Sequence, residues 1–180
     1  MKRNIVLALI VFLVGGILLM DPVFNNTVAI AADNAVQQKE SEIRIDIPVT
    51  LQKANVVFDI GRVSLSKDLP IALRFMDIMV KRFKEQGTEG QIIGSFYADA
   101  AYLVLNDQAY NKQRNITAGN PYKGLIANLQ AQGVQIEECA MSMKLQKISN
   151  EDLLPGVKVN SGANPRMVQL MQQGFVRLQP

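Results

Sequence analysis

Cys139 is the only cysteine in a chain of 180 residues that contains no histidine. Without histidine there is no Ser-His or Cys-His couple and no imidazole to ligate a metal. One cysteine forms neither an intramolecular disulfide, nor a dithiol redox pair, nor a thiolate cage for zinc. No metal and no cofactor is therefore expected. What remains is a soft sulfur nucleophile, carboxylates, tyrosines, lysines and backbone groups. Within residues 133–142, Cys139 closes a short apolar run, and a helix is expected to start directly after it. N–H groups at a helix start favour thiolate over thiol and lower its pKa from about 8.5. Such a thiolate can accept a sulfur atom and pass it on, with Lys144 or a helix N–H steadying the anion. Glu137 and Glu138 oppose this if they are close, but on a strand they point to opposite faces, so at most one is near. The competing readings are a buried cysteine that fills space and a redox-sensing thiol that pairs between chains.

A second group of polar residues lies in residues 98–120. Asp99, Asn106, Asp107 and Tyr110 sit in a stretch expected to be a long loop, and Asn120 follows it. Together they offer hydrogen bonds to a polar substrate or a partner, and a carboxylate pair there suits acid–base work. A solvated loop with Asx turns explains the same residues. Gly119-Asn120-Pro121 and Ser161-Gly162-Ala163-Asn164-Pro165 read as helix starts, which present N–H groups to anions or simply cap. Neither matches a Walker or dinucleotide fingerprint.

These residues need a scaffold, and the hydrophobic pattern supplies one. Strands are expected at 54–60, 91–97, 134–139, 157–159 and 175–178, and an arm or edge strand at 43–49, where Pro48 interrupts pairing. Helices are expected at 69–83, with Gly87 as its stop, from Asn120 to Gly133, after Cys139 with Met141, Leu145 and Ile148 on one face, and at 163–174. Alternating strands and helices predict an α/β sandwich with a mainly parallel sheet of about five strands. The spacing leaves strand order open.

The N-terminus reads as an address. Met1-Lys2-Arg3-Asn4 is positive, residues 5–20 are apolar, and Ala29 and Ala31 place small residues before a cleavage point. That order predicts a signal peptide over 1–31, a flexible arm over 32–42 and one domain over 43–180, exported and most simply periplasmic. The alternative is an uncleaved N-terminal anchor, for which the apolar run falls short of the about 20 residues needed to span a bilayer. The net charge of +3 and the lack of a basic cluster interleaved with aromatics argue against nucleic acid. Nothing after the signal peptide calls for a membrane.

An ordered set of pieces carries a family resemblance. They are Ala54 to Ile60, Leu103-Val104-Leu105-Asn106-Asp107, Gly119-Asn120-Pro121-Tyr122, and Gly133-Val134-Gln135-Ile136-Glu137-Glu138-Cys139. Downstream come Asp152-Leu153-Leu154-Pro155-Gly156-Val157 and Gln172-Gln173-Gly174-Phe175-Val176-Arg177-Leu178. The chain resembles the DsrE/DsrF-like proteins, in particular their exported bacterial relatives. The resemblance implies a three-layer α/β/α fold with a five-stranded parallel sheet, and a tendency to form homo-oligomers. It implies a sulfur relay, with persulfide carried on Cys139 between sulfur-donor and acceptor proteins. Two features depart from the better-known relays: those are cytoplasmic, and their cysteine works beside partner subunits. A non-catalytic ligand-binding or oligomeric assembly module of the same fold is the alternative.

Overall fold

The computed structural model describes residues 43–180. The expected signal peptide and flexible arm lie outside the described residues. Strand β1, Val56–Ile60, is followed by a small antiparallel ribbon of β2, Leu65–Ser66, and β3, Leu69–Pro70. Helix α1, Ile71–Gln86, leads to β4, Ile92–Phe96. A 3-10 helix, Ala98–Val104, and helices α2, Asp107–Arg114, and α3, Lys123–Ala131, then lead to β5, Gln135–Cys139. Helix α4, Ala140–Gln146, precedes β6, Lys158–Asn160, and α5, Ala163–Gln172, leads to β7, Val176–Leu178.

Five strands form one sheet in the order β6-β5-β4-β1-β7, every pair parallel. The sequence explains why this sheet is parallel and covered on both sides: all five residues of β1 and of β4 are buried, and continuous apolar runs suit a sheet with two buried faces. Val56, Phe58, Ile60, Ile92, Phe96 and Ile136 face one way, against Leu73, Met76 and Val80 of α1, Ile126 and Leu129 of α3, the 3-10 helix, and Met143 of α4. Val57 and Ile93 face the other way, against Met167 and Leu170 of α5. The result is a three-layer α/β/α arrangement with most of its helix on one face.

Three local expectations differ from what is observed. Residues 106–114 form no loop: α2 starts there because the Asn106 side chain accepts the Ala109 N–H at 2.9 Å. Its pattern is faint because among its residues only Tyr110 is buried, edge-on to Tyr102 and Tyr122. Residues 43–49 are not a covered strand, since Ile43, Ile45, Ile47 and Val49 are all exposed. In α4 the buried side is Ser142 and Met143, while Met141 and Leu145 face solvent.

The turn between α1 and β4 depends on glycine for two different reasons. Gly87 ends α1 at φ +64° in open space, whereas a Cβ at Gly90, φ +144°, would lie 1.8 Å from the Ala54 carbonyl oxygen. Gly87→Ala is expected to cost about 1 kcal/mol. Gly90→Ala must displace backbone and is expected to cost at least about 3 kcal/mol or prevent folding. Urea denaturation of both variants checks this, and equal midpoints would contradict it.

Candidate active site

The period of two along β5 decides what surrounds the thiol. Gln135, Glu137 and Cys139 face the α5 layer, while Ile136 and Glu138 face the main core. Cys139 is at once the last residue of β5 and the residue that caps α4. Its register partner is Asn160, the last residue of β6. From these two adjacent strand ends the chain departs to opposite faces: β5 continues into α4 against the main core, and β6 into α5 on the other side. Such a parting at the carboxyl ends of parallel strands is where open α/β sheets form crevices.

The thiol is 4% exposed, and its Sγ accepts the Ala163 N–H, at the start of α5, at 3.3 Å. Burial pushes the thiol pKa up. The N–H groups of Ser142 and Ala163, the Ser142 hydroxyl and the Met141 N–H together outweigh burial and hold it below its ordinary value. Only the Ala163 N–H has full hydrogen-bond geometry, and the α4 groups lean on the sulfur more loosely.

The two neighbouring carboxyls do not oppose this thiolate. Glu137, on the thiol's own face, is 2% exposed and accepts from Arg166 Nη2 at 2.7 Å and Nε at 2.9 Å, from Gln135 at 2.6 Å and from Asn160 at 3.1 Å. Burial would raise its pKa, but these donors, Arg166 foremost, hold it low, so the charge is present and paired. Glu138 is fully buried on the opposite face with neither oxygen hydrogen-bonded. Burial pushes it up to about 9, so it is neutral at ordinary pH. Asn160 also accepts the Gly162 N–H at 3.1 Å, which fixes the entry to α5 beside the sulfur.

The other candidate residues gather elsewhere. Asp107 accepts from Lys123 and from the Asn120 N–H at 2.8 Å. The lysine and then that N–H hold its pKa low. Asn120, 1% exposed, donates to the Leu103 and Leu105 carbonyls at 2.9 and 2.6 Å and accepts the Tyr122 N–H. Asn106 donates to the Glu151 carbonyl. Asn106, Asp107, Tyr110 and Asn120 thus form one knot joining the 3-10 helix, α2 and α3. Asp99 is exposed on the 3-10 helix, and Lys144 is exposed near the end of α4. Neither is hydrogen-bonded to Cys139. Residues beside the sulfur that carry no sequence signal of their own are Ser142 and Asn160. Ser161–Pro165 was visible as a helix start, but only the strand order brings it to Cys139.

Comparison with known proteins gives a consistent picture. The family model described as DsrE/DsrF-like family matches residues 48–180. The structure of the protein of unknown function MTH1491 from Methanobacterium thermoautotrophicum is similar, with a TM-score of 0.56 at 20% identity, covering 71% of this chain and 99% of that one. The crystal structure of the ychN protein from E. coli is similar at a TM-score of 0.52 and 18% identity, with the same coverage of 71% and 99%. At these identities the two structures speak to the fold. No curated protein matches the sequence.

Two outcomes test the electrostatics. Arg166→Met leaves the Glu137 charge buried and unpaired, and is expected to cost about 3 kcal/mol. Adding Glu137→Gln should recover most of that loss in urea denaturation, and no recovery would contradict the pairing. Glu138 ionises at 4.5 ordinarily and at about 9 in the fold. Its contribution is fully present below the lower value and is lost as pH rises toward the higher, with a ceiling of about 1.4 kcal/mol per pH unit. Glu138→Gln should remove that slope, gaining on the parent chain from about pH 5 to about pH 8. Parallel profiles would show that Glu138 is ionised in the fold.

Proposed function

The chain belongs to the DsrE/DsrF-like family, and from that premise we propose that it is an exported sulfur carrier loaded on Cys139. The observation that carries the reading is the sulfur's place where β5 and β6 part, with the Ala163 N–H on it and its pKa held below the ordinary value. In the loading step the Cys139 thiolate attacks the outer, sulfane sulfur of a donor such as thiosulfate. The new S–S bond forms as the donor's S–S bond breaks, and sulfite leaves with the electron pair. Cys139 then holds a persulfide anion. An acceptor thiolate attacks the outer sulfur, and Cys139 departs as thiolate, so no net oxidant or reductant is consumed. The leaving thiolate meets the same N–H groups that favoured it at the start.

The 4% exposure of the thiol favours a small donor over a bulky one. A second reading, an oligomeric assembly module, draws on apolar side chains left in solvent: Phe75 and Ile78 on α1, Val168 and Met171 on α5, and Val176 on β7. The two readings differ in whether sulfur is loaded.

Intact-mass measurement after incubation with thiosulfate or polysulfide decides between them. The expected result is a gain of one sulfur atom, reversed by a thiol reductant and absent in Cys139→Ser. No gain on the parent chain, or equal gain on the serine variant, would overturn the carrier reading. The mass of material recovered from the host reports in the same run whether residues 1–31 have been removed.

A further inference from the structure

Asn160 ends β6 and stands opposite Cys139 in the register of the sheet. Its half-buried side chain spans two neighbours. Nδ2 donates to Glu137 Oε2 at 3.1 Å, and Oδ1 accepts the Gly162 N–H at 3.1 Å. The partners fix which way the amide faces. An ionised carboxylate only accepts and a backbone N–H only donates, so a reversed amide would set oxygen against carboxylate and NH2 against N–H. Arg166 holds Glu137 in turn, with Nη2 at 2.7 Å and Nε at 2.9 Å.

What this side chain holds still is the path of the chain from β6 into α5. An asparagine that accepts the N–H two residues on closes a tight turn. The next peptide, between Gly162 and Ala163, is one planar unit whose carbonyl and N–H point opposite ways. Its carbonyl accepts the Arg166 N–H at 3.0 Å, and its N–H donates to Cys139 Sγ at 3.3 Å. Gly162 joins the two peptides, and glycine is the residue freest to turn. The Asn160 contact therefore supplies a restraint that the backbone at this joint lacks. Every link from Asn160 to the sulfur is a hydrogen bond or a covalent peptide.

We infer that Asn160 is a positioning residue for the Cys139 sulfur: by holding the Gly162 N–H it aims the Ala163 N–H at Sγ. The inference rests on the reading of Cys139 as a working thiolate. It gives Glu137 and Arg166 a part in the site without contact with the sulfur, because they fix the direction of the Asn160 amide. The titratable groups around the sulfur come from several elements. Glu137 lies on its own strand, Lys158 on β6 with its Nζ on Gln135, and Arg166 on α5. Glu138 is on the opposite face, Tyr97 follows β4, and Asp99 of the 3-10 helix and Lys144 of α4 are exposed. Among the described residues none of these is hydrogen-bonded to Sγ. Asn160 is itself uncharged, so replacing it leaves all of these charges in place.

The test follows the rate of iodoacetamide alkylation of Cys139 against pH, and the Ala163 amide proton by NMR over the same range, in the full chain. In the parent the Ala163 resonance should move downfield as the thiolate forms, with the midpoint that alkylation gives. A resonance that ignores the thiol overturns the inference without any variant. Asn160→Ala, with a denaturation midpoint to show that it folds, should shift the thiol titration upward and shrink the Ala163 response. At pH values below both midpoints it should cut the thiolate fraction about fivefold, part of what a hydrogen bond to a charged group supplies. Asn160→Ser, whose hydroxyl accepts the N–H two residues on in the same way, should recover most of both. A folded Asn160→Ala that titrates like the parent overturns the inference, as does a serine variant that recovers neither readout. Neither measurement uses a sulfur donor, so the two proposals fail separately. A low-titrating thiol that never loads sulfur sinks the carrier reading alone, and sulfur loading with no Asn160 effect sinks this one alone.

Discussion

A parallel sheet has to cover both of its faces, and here the second face is covered by one helix of ten residues. Much of the molecule depends on that economy. The helix α5 must leave the β6 edge of the sheet and reach β7 at the far edge, with only Met167 and Leu170 packed on Val57 and Ile93. Its apolar reach is short, so the rest of that face is polar: Asp59, Ser95, Glu137, Cys139 and Asn160 all point into it by strand alternation. The place where α5 must begin is fixed by the end of β6, and the end of β6 lies beside Cys139. The thiol's best hydrogen bond is thus a consequence of connectivity.

Polar groups inside a sheet have to be answered, and the fold answers its carboxyls in different ways while leaving the buried Ser95 hydroxyl without a partner among the described residues. Asp59 is held by Arg177, whose Nε lies 2.8 Å from its carboxylate. Glu137 is held by Arg166. Each arginine comes from the last part of the chain, the one on α5 and the other on β7, so the sparsely covered face is closed by guanidinium side chains as well as by methyl groups. Glu138 has no partner and is kept neutral. Removing one partner of a buried pair costs far more than the pair contributes, so these contacts specify the positions of α5 and β7 more than they stabilise the chain. The thiol benefits because the nearest carboxylate on its own face is already neutralised.

The sequence showed the elements more readily than their neighbours. The apolar runs of β1 and β4 and the stripe of α1 were plain, because each buries several residues at its own period. Helix α2 was hidden because it buries Tyr110 alone and otherwise reads as polar loop. The exposed Met141 and Leu145 misled for the opposite reason: they have the right spacing but face solvent, and α4 is held through Ser142, Met143 and Gln146 instead. Cys139 was legible as a strand end next to a helix start. Its surroundings were not, because Ala163 and Asn160 reach it through strand order, which spacing does not encode. The polar group at 98–120 looked like a ligand site because the same atoms that bind ligands also tie helices together, and only their partners tell the two apart.

The placement of β1 has a bearing on how the chain comes together in time. Among the described residues it is the first strand in chain order, yet its second neighbour is β7, the last of them. Asp59 waits for Arg177 across 118 positions. Until β7 pairs with it, one side of β1 stays open and a carboxylate that will be buried stays without its counter-ion. Closure over so long a separation is slow and comes late. The sheet is therefore locked on that side by β7, with Arg177 as the latch.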